Sequence, residues 1–171
     1  MPVVPKSPSK NGERMKHLVI VGCGKTKRPV VSEARDLYTG QLFQYARRYA
    51  ERFGDCWRIV SARYGLLHPR AQIEPYDDSL TGKRQQLLRA WGAGVQADLI
   101  AAFHAMDIKA KHGQWLDPPA VVLLAGKDYI EPMLRWTFLA SGRVHIETPL
   151  DGMGIGQRIA WLKRQVSRQQ N

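Results

Sequence analysis

Acidic residues are scarce in this sequence. Its 171 residues include 15 aspartates and glutamates against 26 lysines and arginines, which gives a net charge of +11 and an isoelectric point near 10.0. An excess of positive charge favours a polyanion, and we expect nucleic acid, with DNA favoured over RNA. The alternative is a basic surface that serves no partner.

Long apolar runs and clusters of metal-binding side chains are also missing. No apolar run approaches the roughly 18 residues that span a bilayer, and residues 1–14 lack the apolar centre of a signal peptide. Cys23 and Cys56 do not have the spacing of a disulfide framework or a zinc site, and the five histidines are scattered along the chain. We therefore expect a reduced, cytoplasmic setting with no membrane contact, no metal and no cofactor.

The composition of the chain changes after its first residues. Residues 1–14 are rich in proline, serine, lysine and glycine, which predicts a disordered basic arm. The whole chain is 44% hydrophobic and 24% charged, a composition that excludes a mostly disordered, collagen-like or coiled-coil protein. Residues 15–171 have the length of one ordinary domain, and we expect a single α/β domain there.

Short apolar runs alternate with amphipathic stretches along this part of the chain. The apolar runs predict strands at 17–21, 57–62, 120–126 and 144–147. The amphipathic stretches predict helices at 40–53, 80–106, 127–139 and 156–166. This alternation predicts right-handed βαβ units and a three-layer α/β/α sandwich around a mainly parallel four-stranded sheet.

Unusual residues follow each predicted strand, where ligands bind in open parallel sheets. Residues 22–27, Gly-Cys-Gly-Lys-Thr-Lys, match neither Walker A nor GxGxxG, but they could offer N–H groups and a cation to a phosphate. The alternative for this segment is a tight turn with solvated lysines. Cys23 could act as a nucleophile, for which the alternative is a structural role. The candidate substrate-binding residues at these strand ends and the adjoining loops are Cys23, Gly24, Lys25, Tyr38, Ser61, Tyr64, Gly65, Tyr76, Lys127 and Gly154.

The loop over residues 64–77 concentrates aromatic, proline and carboxylate side chains. Pro75 restricts its neighbours, so Tyr76 could stack on a nucleobase while Glu74 or Asp77 polarises water, with Asp36 in reserve as the acid. The alternative is a Pro-Tyr corner packed on the core, with Asp77 or Asp78 starting the next helix. The candidate contacts to a nucleic-acid backbone are Lys27, Arg63 and Arg158.

Four motifs resemble an uncharacterised domain family found in bacteria and phages: Cys-Gly-Lys-Thr-Lys at 23–27, Leu-Tyr-Thr-Gly at 37–40 with Phe43, Ser-Ala-Arg-Tyr-Gly-Leu at 61–66 and Glu-Pro-Tyr-Asp at 74–77. The resemblance covers most of residues 17–160. Residues 64–76 are also similar to part of the YaaA family of peroxide-stress proteins, which implies an association with DNA. This chain departs from that family in carrying Asp77 where the family has arginine.

The predicted architecture is similar to that of the uracil-DNA glycosylase superfamily. In that superfamily a carboxylate and an aromatic ring lie near a flipped base, and Tyr76 with Asp77 would offer those groups here. Three functions stay open: a glycosylase-like hydrolase that releases a modified base from DNA, a protein that binds DNA or RNA without turnover, and an enzyme of free nucleotides or nucleosides.

Overall fold

The computed structural model describes residues 14–112 and 114–168, so most of the predicted basic arm lies outside the described residues. The strands are β1 (His17–Gly22), β2 (Ser32–Glu33), β3 (Cys56–Ser61), β4 (Gly65–Leu67), β5 (Gln72–Ile73), β6 (Ala110–Lys111), β7 (Gln114–Trp115), β8 (Ala120–Leu124) and β9 (Ile146–Glu147). The α-helices are α1 (Ala34–Leu37), α2 (Gln41–Phe53), α3 (Gln85–Ala105), α4 (Lys127–Trp136) and α5 (Ile155–Ser167), and a 3₁₀ turn covers Phe138–Ser141.

The central sheet has the strand order β4-β3-β1-β8-β9. Strands β3, β1, β8 and β9 are parallel, with Ile20 of β1 opposite Arg58 on one side and Leu123 on the other. The mainly parallel sheet is confirmed. The structure differs by a fifth strand, β4, which pairs antiparallel with β3 at the sheet edge. A three-residue strand that begins at Gly65, with φ of +70°, is too short to show a periodic pattern in the sequence.

Side chains of β1 alternate between two apolar layers, as expected for a strand covered on both faces. Val19 packs in the layer that contains Tyr49 of α2 and Leu162 of α5. Leu18 packs in the opposite layer, which contains residues of α3 and α4 such as Met133. The sheet therefore lies between two helix pairs, and the predicted α/β/α sandwich is confirmed. Among the described residues, no helix is long and apolar enough to cross a membrane.

Helices α3 and α4, which pack on the same face of the sheet, lie close together. A Cβ atom added to Gly92 of α3 would lie 2.4 Å from Cβ of Trp136 of α4, which is inside van der Waals contact. Glycine is thus required where the two helices cross. The predicted helix over 80–106 begins only at Gln85, because residues 80–84 form the turn that leads into it.

His17 is buried at the amino end of β1, and its side chain is 6% exposed. Its backbone N–H donates to Oδ2 of Asp55 at 2.8 Å, and its Nε2 has no hydrogen-bond partner among the described residues. Burial lowers the pKa of His17, although the neighbouring carboxylates of Glu147 and Asp55 act in the opposite direction. The folded protein therefore favours the neutral imidazole.

This burial predicts that folding stability falls as the pH is lowered through the range below about 6.5. As the pH falls, His17 becomes protonated in the unfolded chain before it does so in the folded protein, so acid favours unfolding. The stability that the neutral imidazole contributes is fully present above that pH. Urea denaturation between about pH 5 and pH 8 should show this loss in the parent protein and a flatter profile in His17→Gln. The exposed His104→Gln is the control and should keep the parent profile. An unchanged profile in His17→Gln would contradict the assignment.

Candidate functional site

Polar and aromatic side chains meet at the carboxyl edge of the sheet. The parallel strands β1, β3 and β8 end there, at Gly22, Ser61 and Leu124. This edge is where open parallel sheets place their ligands. The loops and the start of α4 that follow these strands bring together six side chains. We call this set the tyrosine cluster, and it comprises Cys23, Tyr38, Ser61, Tyr64, Tyr76 and Tyr129.

Three buried hydroxyl groups form a hydrogen-bonded chain in the cluster. The Tyr76 hydroxyl lies 2.8 Å from that of Tyr38 and 2.7 Å from Oγ of Ser61. Oγ of Ser61 also accepts from the backbone N–H groups of Arg63 and Tyr64, each at 3.2 Å. These two donors occupy both lone pairs of the serine oxygen. Ser61 therefore donates its proton to Tyr76, which in turn donates to Tyr38.

Burial keeps the two central tyrosines protonated. Tyr38 is fully buried, and Tyr76 is 8% exposed. Burial raises the pKa of both phenols far above the ordinary value, and the nearby thiol of Cys23 adds to the effect. Neither phenol therefore acts as a general base near neutral pH, and the proton of Tyr76 is used within the chain of hydroxyls.

Cys23 and Tyr129 form the partly exposed side of the cluster. Sγ of Cys23 lies 3.2 Å from the Tyr129 hydroxyl, and the backbone N–H of Cys23 donates to the carbonyl of Val60 at 2.9 Å. This second bond holds the turn after β1 against β3. Burial raises the pKa of Tyr129 well above its usual range. The Tyr129 hydroxyl thus stays neutral near neutral pH and can present a polar group to a ligand.

Lys27 brings a positive charge onto the aromatic rings. Its Nζ lies 4.5 Å from the ring centroid of Tyr76 and 5.9 Å from that of Tyr38, distances typical of cation–π contacts. A backbone bridge between Lys27 and Tyr38 fixes this placement. With Lys27 on its ring and little exposure, Tyr76 has no free face for a stacked base. The packed Pro-Tyr corner, one of the two alternatives for this loop, describes Tyr76 better than the stacking role.

Three partly exposed rings surround this buried centre. Tyr64 meets Tyr76 edge to face, with ring centroids 5.3 Å apart. Trp91 of α3 donates from Nε1 to the carbonyl of Ser61 at 2.9 Å, and its ring centroid lies 6.3 Å from that of Tyr129. These rings are the aromatic surfaces that a planar ligand could reach. Trp91 and Tyr129 were not among the candidates from the sequence, although Tyr129 lies within the segment that follows β8.

The candidate carboxylates differ in their surroundings. Glu74 and Asp77 are exposed on either side of the Pro75-Tyr76 pair. Asp36 is held by Arg47 of α2 in an ion pair of 2.8 Å. Asp78 pairs with Lys83 at 2.7 Å, and that contact lowers the pKa of Asp78. Neither Asp77 nor Asp78 starts α3, whose N-terminal cap is Arg84.

The two candidate glycines nearest the cluster differ in how far their positions require glycine. A Cβ atom on Gly24 would lie 3.6 Å from Cβ of Tyr38, in ordinary van der Waals contact. Gly65 adopts a positive φ of +70°, which favours glycine, and the next N–H, that of Leu66, donates to Asp98 at 3.1 Å. These glycines shape the two loops that carry Cys23 and Tyr64.

The remaining candidates lie on the surface. Lys25 and Arg63 are exposed, and Lys127 pairs with Glu131 at 3.3 Å. Gly154 caps the N-terminus of α5, and Arg158 donates from Nε to the carbonyl of Met153 at 2.8 Å. Across residues 14–112 and 114–168, no group of three or more histidine, cysteine, aspartate or glutamate side chains could hold a metal ion.

Comparisons with known proteins extend over nearly the whole fold. The model of DUF6884, a family of unknown function, matches residues 18–164, from β1 into α5. The uncharacterized protein YfjM of Bacillus subtilis (strain 168) is 29% identical over 160 residues, covering 89% of this chain and 96% of that protein. Both matches span the tyrosine cluster.

Proposed function

The chain belongs to the DUF6884 family, a family of unknown function, and we propose that it binds a base of DNA at the tyrosine cluster and releases it by hydrolysis. The observation that carries this proposal is the cluster itself. It places buried hydroxyl donors behind partly exposed aromatic rings at the carboxyl edge of the sheet. The net charge of +11 suits a polyanionic substrate.

The cluster offers the two kinds of contact that a flipped base needs. The partly exposed rings of Tyr64, Trp91 and Tyr129 could stack on the base, and the thiol of Cys23 with the Tyr129 hydroxyl could bond to its edge. In this proposal Tyr64 takes the stacking role that the sequence suggested for Tyr76. Tyr76 then serves as the support behind it.

Hydrolysis requires an activated water. In the proposed step the water oxygen bonds to C1′ of the sugar, the N-glycosidic bond breaks, and its electron pair leaves with the base, which takes up a proton. Asp77 or Glu74 would orient the water and accept its proton. Both carboxylates are exposed in the free protein, so bound DNA has to cover them.

Two resemblances add support to this proposal. The similarity of residues 64–76 to the YaaA family of peroxide-stress proteins points toward DNA, and these residues contribute Tyr64 and Tyr76 to the cluster. The α/β/α layout with functional loops at the strand ends is similar to the uracil-DNA glycosylase superfamily, which suggests base release.

The test is incubation of the purified protein with duplex and single-stranded DNAs that carry normal and modified bases. Mass spectrometry would detect a released base, and binding would be measured in parallel. Release of one base supports the hydrolase. Binding with every base retained would contradict hydrolysis, and absence of binding would contradict the DNA partner.

A second candidate function is binding of nucleic acid without turnover. It is favoured by the ion pair of Asp36 with Arg47, which leaves only the exposed Glu74 and Asp77 among the proposed acid–base groups. A protein with this function would bind nucleic acid with an affinity that depends on salt and would leave every base in place.

A further inference from the structure

Positive charge is distributed unequally between the two helix layers. Helices α2 and α5 together carry six lysines and arginines and one acidic residue. Helices α3 and α4 carry three lysines and arginines and three acidic residues. The charge excess in the helices thus lies on one face of the sheet.

The acidic residue of α2 does not neutralise the outer surface of this layer. Glu51 accepts from Nε of Arg47 at 2.8 Å, and Arg47 also bonds to Asp36. Glu51 is therefore paired within α2 to a cation that Asp36 also contacts, and among the described residues it is not paired with the outer cations. The cations farther out on the layer remain available to a partner.

One exposed cation of α2 and one of α5 meet at the same ring. Arg48 of α2 and Lys163 of α5 each lie 5.1 Å from the ring centroid of Tyr45, so the two helices present their charges side by side.

Arg52 donates to the carbonyl of Val166, which ties the end of α2 to α5. Contact between Tyr49 and Trp161, with centroids 5.6 Å apart, joins the helices beneath this surface. The cations are therefore held in a fixed relative arrangement.

We propose that the surface formed by Arg48, Arg52 and Lys163, here called the α2–α5 surface, binds the phosphate backbone of duplex DNA. Both helices begin at the carboxyl edge, since the N-terminal cap of α2, Gly40, follows closely after Tyr38. A duplex on this surface would lead toward the tyrosine cluster. The inference rests on the proposed function, to which it adds the path of the DNA.

The structure provides a matched pair of variants for the test. Arg48→Gln/Lys163→Gln removes two cations that share the Tyr45 ring. Arg89→Gln/Arg135→Gln removes two cations that share the Trp136 ring on the opposite layer, at 5.8 and 5.3 Å. Each variant lowers the net charge by two, so a difference between them reports position rather than total charge.

Binding to a short DNA duplex would be measured by fluorescence anisotropy over a range of salt concentrations. We expect the α2–α5 variant to reduce the slope of log affinity against log salt by about 1.8, with near-parent behaviour in the opposite-layer variant. Equal effects of the two variants, or a larger effect of the opposite-layer variant, would overturn the surface assignment and leave the proposed function standing. A parent protein that binds single-stranded DNA but no duplex would overturn the surface assignment alone. Absence of binding to either form of DNA would overturn both proposals.

Discussion

The double replacement Asp77→Asn/Glu74→Gln is expected to reduce the rate of base release at least about 100-fold, with little change in affinity for DNA. An amide keeps the size of the carboxyl group but cannot accept a proton from water near neutral pH. Both side chains are exposed beside the buried Tyr76, so their replacement leaves the core untouched. The measurement is the single-turnover rate of base release on the substrate found in the base panel.

Two further variants separate chemistry from charge in this experiment. Asp107→Asn removes an exposed carboxylate that follows α3, in a positive-φ position that asparagine tolerates, and should release base at the parent rate. Asp36→Asn breaks the ion pair with Arg47 and should also leave the rate near that of the parent. A double variant with full activity would remove both carboxylates from the mechanism. Loss of activity only in Asp36→Asn would assign the acid role to that residue.

The layout of the sheet could be predicted because each strand is recognisable from a short segment of the sequence. Strand β1 has no polar residue between Leu18 and Val21, and buried parallel strands require such runs. The carboxyl edge then follows from the direction of the strands, which is why Cys23, Ser61 and Tyr64 were found as candidates.

The internal structure of the cluster could not be predicted, because it depends on contacts between distant residues. Tyr38 and Tyr76 are 38 positions apart and share no periodic pattern, yet their hydroxyls lie 2.8 Å from each other. Their burial, which raises their pKa, follows only from that packing. Trp91 was missed for a similar reason, since an amphipathic pattern in α3 does not show which turn reaches the sheet edge.

Tyr76 is expected to be the residue of the cluster on which folding stability depends most. Tyr76→Phe leaves the buried hydroxyls of Ser61 and Tyr38 without their shared partner and should lower the free energy of unfolding by about 1–3 kcal/mol. Tyr76→Ala also removes the ring that Lys27 and Tyr64 contact and should cost about 3–5 kcal/mol. Urea denaturation measures both values, and Tyr45→Phe, on the helix surface, is the matched control with no expected change.

The comparison of Tyr76→Phe with Tyr64→Phe distinguishes support from direct contact. If Tyr76 acts only behind the rings that meet the base, Tyr76→Phe lowers stability but leaves base binding by the folded protein near the parent value. Tyr64→Phe keeps the stacking ring and should leave both stability and binding near the parent values. A Tyr76→Phe protein of parent stability that no longer binds the base would show that this hydroxyl touches the ligand itself. The proposed roles, with Tyr76 as a buried support and Tyr64 as an exposed stacking ring, would then be wrong.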